Sequence, residues 1–272
     1  MRVVVILLLL AALAFALLPV YWLGTISLKQ PVDQFAMPPL WLRFNPTLAH
    51  FKEILLVRPF GTYLLNSLVA AGGSTLLALT LGTLAAYGLA RFRLPGGLEE
   101  RFSFWIISTR MFPPIVSIVP LFLLMNRLEL LNTRTSLVLI YTAFNLPLDV
   151  WMMRGFIEEV PVELEEVALV DGMTRLEALV RVVLPLTAPG LAATAVFCLI
   201  TAWNEFLFAL VLAQTDAAMT LPVGIAGQVT QYEIRWGAMS AAGVLAMVPI
   251  LVFAFAAQRY LVRGLSLGAV KG

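Results

Sequence analysis

The 272-residue chain is 61% hydrophobic and 12% charged, with a mean hydropathy of +0.93 and a formal net charge of +2. A water-exposed surface needs far more charge than that, so the composition excludes a soluble domain, points to one membrane domain, and offers no arginine-aromatic patch for nucleic acid. A single Cys198 and a single His50 exclude a disulfide framework, a Cys/His zinc cluster and most triad chemistry.

Six stretches reach the roughly 20 apolar residues that a membrane helix needs: about 3–26, 62–90, 102–126, 136–153, 189–213 and 238–260. The first is either a retained anchor or a signal peptide, because Ala14-Phe15-Ala16 resembles a cleavage site. Its apolar run continues through Leu17, Leu18, Trp22 and Leu23, longer than a signal h-region, so the anchor is the expected form. Residues 1–61 thus comprise the first span and a polar, aromatic loop expected to be an ordinary connection, 62–260 the core with five spans, and 261–272 a tail.

In the second stretch Ala70, Ser74, Ala78, Gly82, Ala86 and Ala90 repeat every fourth residue, a stripe that lets another helix backbone approach, either in this chain or in a partner. Prolines interrupt the third (Pro113, Pro114, Pro120), fourth (Pro147) and sixth (Pro249) stretches. Such residues bend helices or are tolerated where neighbours satisfy the freed carbonyls. Charged and amide groups inside spans are costly and should face a cavity or a partner. They are Arg110, Asp149, Asn204 and Glu205, with Asp149 expected at an interface near a span end. Trp203, Asn204 and Glu205 join a ring to an amide and a carboxylate midway along the fifth stretch. That chemistry suits a polyhydroxylated ligand, while the alternative is a Glu205–Arg110 pair holding two spans in register.

The loop at about 155–188 is polar and amphipathic. Pro161 suits a first helical position, Gly172 a left-handed turn, and Thr174 to Glu177 has capping-box spacing. Leu176, Leu179, Val180 and Val183 recur at helical spacing and predict one apolar face on the second helix. With both termini inside, Lys and Arg number ten on the inner side against seven outside, a bias toward cytoplasmic termini. The lysines Lys29, Lys52 and Lys271 follow Leu28, Phe51 and Val270, so no Walker A loop exists and any nucleotide site belongs to another polypeptide.

Glu166-Val167-Ala168, then Asp171-Gly172, then Leu184-Pro185 resembles the EAA motif of ABC-importer membrane subunits. Arg110-Met111-Phe112-Pro113-Pro114, Trp203-Asn204-Glu205-Phe206 and the tail QRYLVRGLSLGAVKG are similar to the second permease subunit of maltose-type carbohydrate importers. The resemblance spans about Asn66 to Gly272. It implies an all-α, polytopic protein with about six transmembrane helices and the type I ABC importer permease fold, in the bacterial cytoplasmic (inner) membrane. It further implies a second homologous permease, a cytoplasmic ATPase dimer that carries the ATP and Mg, and an extracytoplasmic solute-binding protein. The chain itself binds no cofactor and is no enzyme. In such a permease Glu166 would pair with a basic group of the ATPase, Val167 and Ala168 would dock closely, Asp171 and Gly172 would set the turn, and Leu184 and Pro185 would close the motif. The solute would be a sugar or a related polyhydroxylated compound. The competing class is a stand-alone carrier or channel, which predicts inverted repeats and charge relays; neither is evident in this sequence.

Overall fold

The computed structural model describes residues 2–267, whose regular structure is helical apart from one isolated bridge between Val229 and Ile234. In chain order run α1 (Arg2–Leu28), α2 (Phe60–Arg91), α3 (Pro95–Met111), α4 (Pro114–Arg127), α5 (Arg134–Glu158), α6 (Val162–Val170), α7 (Arg175–Leu186), α8 (Ala188–Trp203), α9 (Leu207–Leu212), α10 (Leu221–Ala226) and α11 (Trp236–Leu267). Four of these, α1, α2, α5 and the Trp236–Phe255 part of α11, are each long and apolar enough to cross a membrane. Counting the bent pairs α3–α4 and α7–α8 as one span each brings the number to six. The tail residues Gly268 to Gly272 lie outside the described residues.

Two predicted rods are broken. The stretch 102–126 bends by 94° between α3 and α4. Consecutive prolines are the cause: a residue before proline is driven out of the helical region, and Phe112 and Pro113 both take extended backbone, with ψ of 124° and 125°. Pro120, Pro147 and Pro249 sit inside continuous helices, where a lone proline is absorbed. The stretch 189–213 is interrupted after Trp203, and Glu205 lies in the break before α9 rather than midway along a helix. At its other end the chain turns by 83° from α7 into α8, with Pro185 and Pro189 flanking the bend.

The chain divides into two compact units, the first made of Met1–Leu64 with Thr220–Pro249. Here the segment after α1 is packed rather than a simple connection. The Trp22 and Trp41 rings meet at a tilt of 51°, their centroids 4.7 Å apart, and the Tyr21 hydroxyl donates to the Trp41 carbonyl. The Lys29 ammonium is fully buried 4.2 Å from the Trp22 ring centroid, where burial pushes its pKa down against the pull of Asp33. His50 Nε2 lies 2.9 Å from the Lys29 carbonyl, and its ring rests on Gly237, where an added Cβ would come within 2.3 Å. Arg235 pairs with Glu53 at 3.1 Å. From Val3 to Leu10 α1 is exposed and wholly apolar, a surface for lipid or for another chain.

The second unit is Leu65–Met219 with Ile250–Gly272. Its α2 stripe faces α5 of the same chain. Ala70, Ser74, Ala78 and Ala86 are fully buried, Gly73 rests on Val138, and the Thr142 hydroxyl donates to the Ser74 carbonyl. Gly82 packs against Asp149 so closely that a Cβ would stand 1.9 Å from Oδ2. Asp149 is therefore not an interface residue near a span end. It is fully buried within α5, and neither carboxyl oxygen has a hydrogen-bond partner among the described residues. One turn earlier on α5 the Asn145 amide donates to the Cys198 carbonyl in α8 at 3.1 Å.

Candidate functional site

The 155–188 loop departs from the expected pattern in one informative way. Thr174 and Glu177 form the capping box, and Gly172 adopts φ of 90°. Pro161 is the cap residue, one position before α6 begins at Val162. The single apolar face predicted for the second helix is split, however. Leu179 and Val183 are buried with Ala86, Val150, Met153 and Ile157, whereas Leu176 and Val180 are exposed. A π-helical turn at Leu179–Val183 lies within this run, and its extra residue per turn shifts the register that a 3.6-residue period assumes.

The motif residues likewise divide between two faces of the loop. Glu166 and Val167 are exposed, and Val170 is 87% exposed. Ala168 is buried inside the chain, so it spaces α6 from its own neighbours rather than meeting another surface. Leu184 packs on the core cluster, and Pro185 is exposed. Asp171 and Gly172 close α6, with the Met173 amide bonding back to the Ala168 carbonyl at 3.0 Å.

Beneath α6 lies a group that sequence reasoning passed over. Arg91, the last residue of α2, donates through Nε to Glu165 Oε1, and through Nη2 to the Ile157 and Val160 carbonyls at 2.8 Å each. The Tyr87 hydroxyl donates to Glu165 Oε2 at 2.9 Å. Both charged side chains are nearly inaccessible, at 5% and 3%. The Tyr87 ring meets Phe92 edge-on, and the Arg175 guanidinium covers Phe92 at 5.1 Å. Two signals were available. Glu165 stands three residues before Ala168, on the same helical face, and Arg91 lies in the last turn of α2, where a cation meets free carbonyls.

A cavity of about 870 Å³ opens among α3, α4, α5, α8 and α9, lined by Trp105, Phe112, Tyr141, Phe144, Asn145 and Phe208 together with Arg110 and Glu205. Phe144 and Phe208 meet with their ring centroids 4.6 Å apart and their planes tilted by 41°. Arg110 and Glu205 thus share one cavity, but no ion pair joins them among the described residues. Glu205 instead accepts from the Phe208 and Ala209 amides at 2.8 and 3.2 Å, holding the start of α9. Trp203 is buried against Val196 and Phe253 on a different side, and Asn204 spends its amide on the Ile200 carbonyl; neither lines the cavity. The α3–α4 break is what brings Arg110 to the cavity wall: it lies in the last turn before the bend, clear of a continuous helix.

Residues 78–267 match the model of the family described as "Binding-protein-dependent transport system inner membrane component". A probable ABC transporter permease of Sinorhizobium fredii is 40% identical, over 95% of this chain and 92% of its own length. The trehalose/maltose transport system permease protein MalG of Thermococcus litoralis is 35% identical, over 98% of this chain and 97% of that protein. The sulfoquinovosyl glycerol transport system permease protein SmoH of Agrobacterium fabrum is 38% identical over 94% and 89%. In fold the chain is similar to a chain from the crystal structure of a bacterial ABC transporter involved in the import of the acidic polysaccharide alginate, with a TM-score of 0.78, 23% identity and 96% of each chain covered.

Proposed function

The chain belongs to the family of binding-protein-dependent transport system inner membrane components, and we propose that it forms half of a translocation pathway for a sugar or related polyhydroxylated solute, driven by a separate ATPase. The carbohydrate reading is supported by the names of the relatives, trehalose/maltose and sulfoquinovosyl glycerol permeases among them, and by the aromatic wall of the cavity, whose ring faces suit the C–H faces of sugars. A second homologous permease would close the cavity from the other side. An extracytoplasmic binding protein would deliver the solute, and with cytoplasmic termini the 155–188 loop would face the ATPase dimer.

One observation carries the coupling role. The outer face of α6 combines exposed Leu164, Val167 and Val170 with the acids Glu163 and Glu166. Apolar side chains presented beside acids in a polar loop outside the spans have no lipid to cover them, so they call for a protein partner with apolar and basic groups. Glu166 would meet the basic group and Val167 would seat in the cleft. Asp171 and Gly172 hold the angle between α6 and α7. Closure of the ATPase dimer on ATP would then move α6 as a rigid body. Arg110 and Glu205 would border the solute path, with Arg110 free to contact solute and Glu205 shaping the wall. No step requires a cofactor on this chain, since ATP and Mg act on the ATPase.

The test is Glu166→Lys in the assembled transporter: membrane insertion stays normal and coupled uptake is abolished. Normal uptake in that variant removes Glu166 from the interface. Deleting Ser266 to Gly272 weakens assembly or turnover if the tail reaches the ATPase, and full activity of the truncated chain contradicts that contact.

A further inference from the structure

We propose that Arg91, Glu165 and Tyr87 form a latch that makes α2 move as one body with α6, so that the stroke received by the loop passes directly into a span it is not covalently next to. The inference rests on the coupling role of α6 proposed above. By covalent connection α6 leads only to α5, through the short Glu159–Pro161 link, and to α7 and α8, past Gly172. The latch adds a third route. Glu165 hangs from the inner face of α6 with both oxygens held by α2 side chains, one by Arg91 and one by Tyr87. The same guanidinium grips two carbonyls at and just beyond the C-terminal end of α5. Sliding α6 against α2 would strip partners from two charges that are almost sealed from water, so the latch resists relative motion far more than a contact between apolar surfaces does. Farther along α2 the packing against α5 is equally close, with Gly82 on Asp149 and Gly73 on Val138, so α2 transmits displacement along its length instead of yielding.

Removing one charge alone would leave the other buried and could unfold the site, so the test uses the double variant Arg91→Met/Glu165→Leu. It deletes both charges at similar volume while the exposed face of α6 stays intact. In a Cys198→Ala background, spin labels on Val162, an exposed position at the start of α6 outside the docking residues named above, and on Leu76, at an exposed position of α2, report the distance between the two helices in the assembled transporter. It is measured nucleotide-free and with ATP, Mg and vanadate. With the latch intact the distance is the same in both states. In the double variant the ATPase still co-purifies and hydrolyses ATP, but the distance shifts by about 2 Å or more between states. Arg91→Lys, which keeps the charge but loses the fork, gives a smaller shift. A distance that changes with nucleotide in the intact chain, or one that stays constant in the double variant, overturns the latch. An intact chain that holds no ATPase at all removes the coupling role itself, and the latch with it.

Discussion

The chain carries two arginine–glutamate pairs at functional positions, and it treats them in opposite ways. Arg91 and Glu165 are buried and in contact, with both carboxylate oxygens and two further carbonyls engaged. Arg110 and Glu205 line one cavity without pairing, and Glu205 serves two backbone amides instead. A sealed pair fixes geometry because neither member can leave without stranding the other. Charges held apart on a cavity wall remain available to a guest. On the proposed function, the first pair would belong to the part that transmits force and the second to the part that admits solute.

The largest effect that tests this contrast is Arg91→Ala. It leaves the Glu165 carboxylate buried without its cation and should lower stability by about 3–5 kcal/mol, whereas Arg91→Met/Glu165→Leu strands no charge, only the Tyr87 hydroxyl and the carbonyls that Arg91 held, and should lose clearly less. Unfolding of the detergent-solubilised protein measures both, and equal losses would show that the pair is not sealed. Next in size is Gly82→Ala, whose Cβ would collide with the buried Asp149 side chain, 1.9 Å from Oδ2 and 3.0 Å from its Cβ. It should cost about 1–3 kcal/mol by overpacking, while Gly72→Ala, with nothing within 4 Å of the added Cβ, should be neutral or better. Glu205→Ala removes the acceptor for two amides and should cost about 1 kcal/mol, read as a small fall in the thermal midpoint. Arg110→Gln removes an unpaired cation and should change stability by less than about 0.5 kcal/mol, so any fall in uptake would be a direct effect on the pathway. Should Arg110→Gln destabilise as much as Arg91→Ala, the contrast between the two pairs would collapse.

The motif loop was legible to the level of its turns. Gly172 and the Thr174–Glu177 capping box declare themselves because caps are local chemistry, decided by a few adjacent residues. The split of Leu176 and Val180 from Leu179 and Val183 was not legible, since a π-helical turn changes register without changing composition. Arg110 and Glu205 were singled out as polar groups that should face a cavity or a partner, and both line one cavity, but the pairing left open between them is not formed among the described residues. Trp203 looked like part of the same wall from its place beside Glu205, but residues next to each other on a helix point in different directions, and α8 ends between them. The α2 stripe could be read as a packing surface, while its occupant, α5 rather than a partner chain, could not.

By itself the sequence determined that this is a membrane protein of about six spans with a capped polar loop and no Walker A loop. Those properties follow from transfer free energies and local hydrogen bonding, which are set residue by residue. Which acid of the Glu165-Glu166 doublet points inward, where two rods break, and which charges meet were decided only by tertiary structure. Burial depends on what a distant part of the chain presents, as Tyr87 does to Glu165 from 78 positions away. A charge inside a membrane protein takes its meaning from that neighbour, and no local pattern along the chain encodes the distance between them.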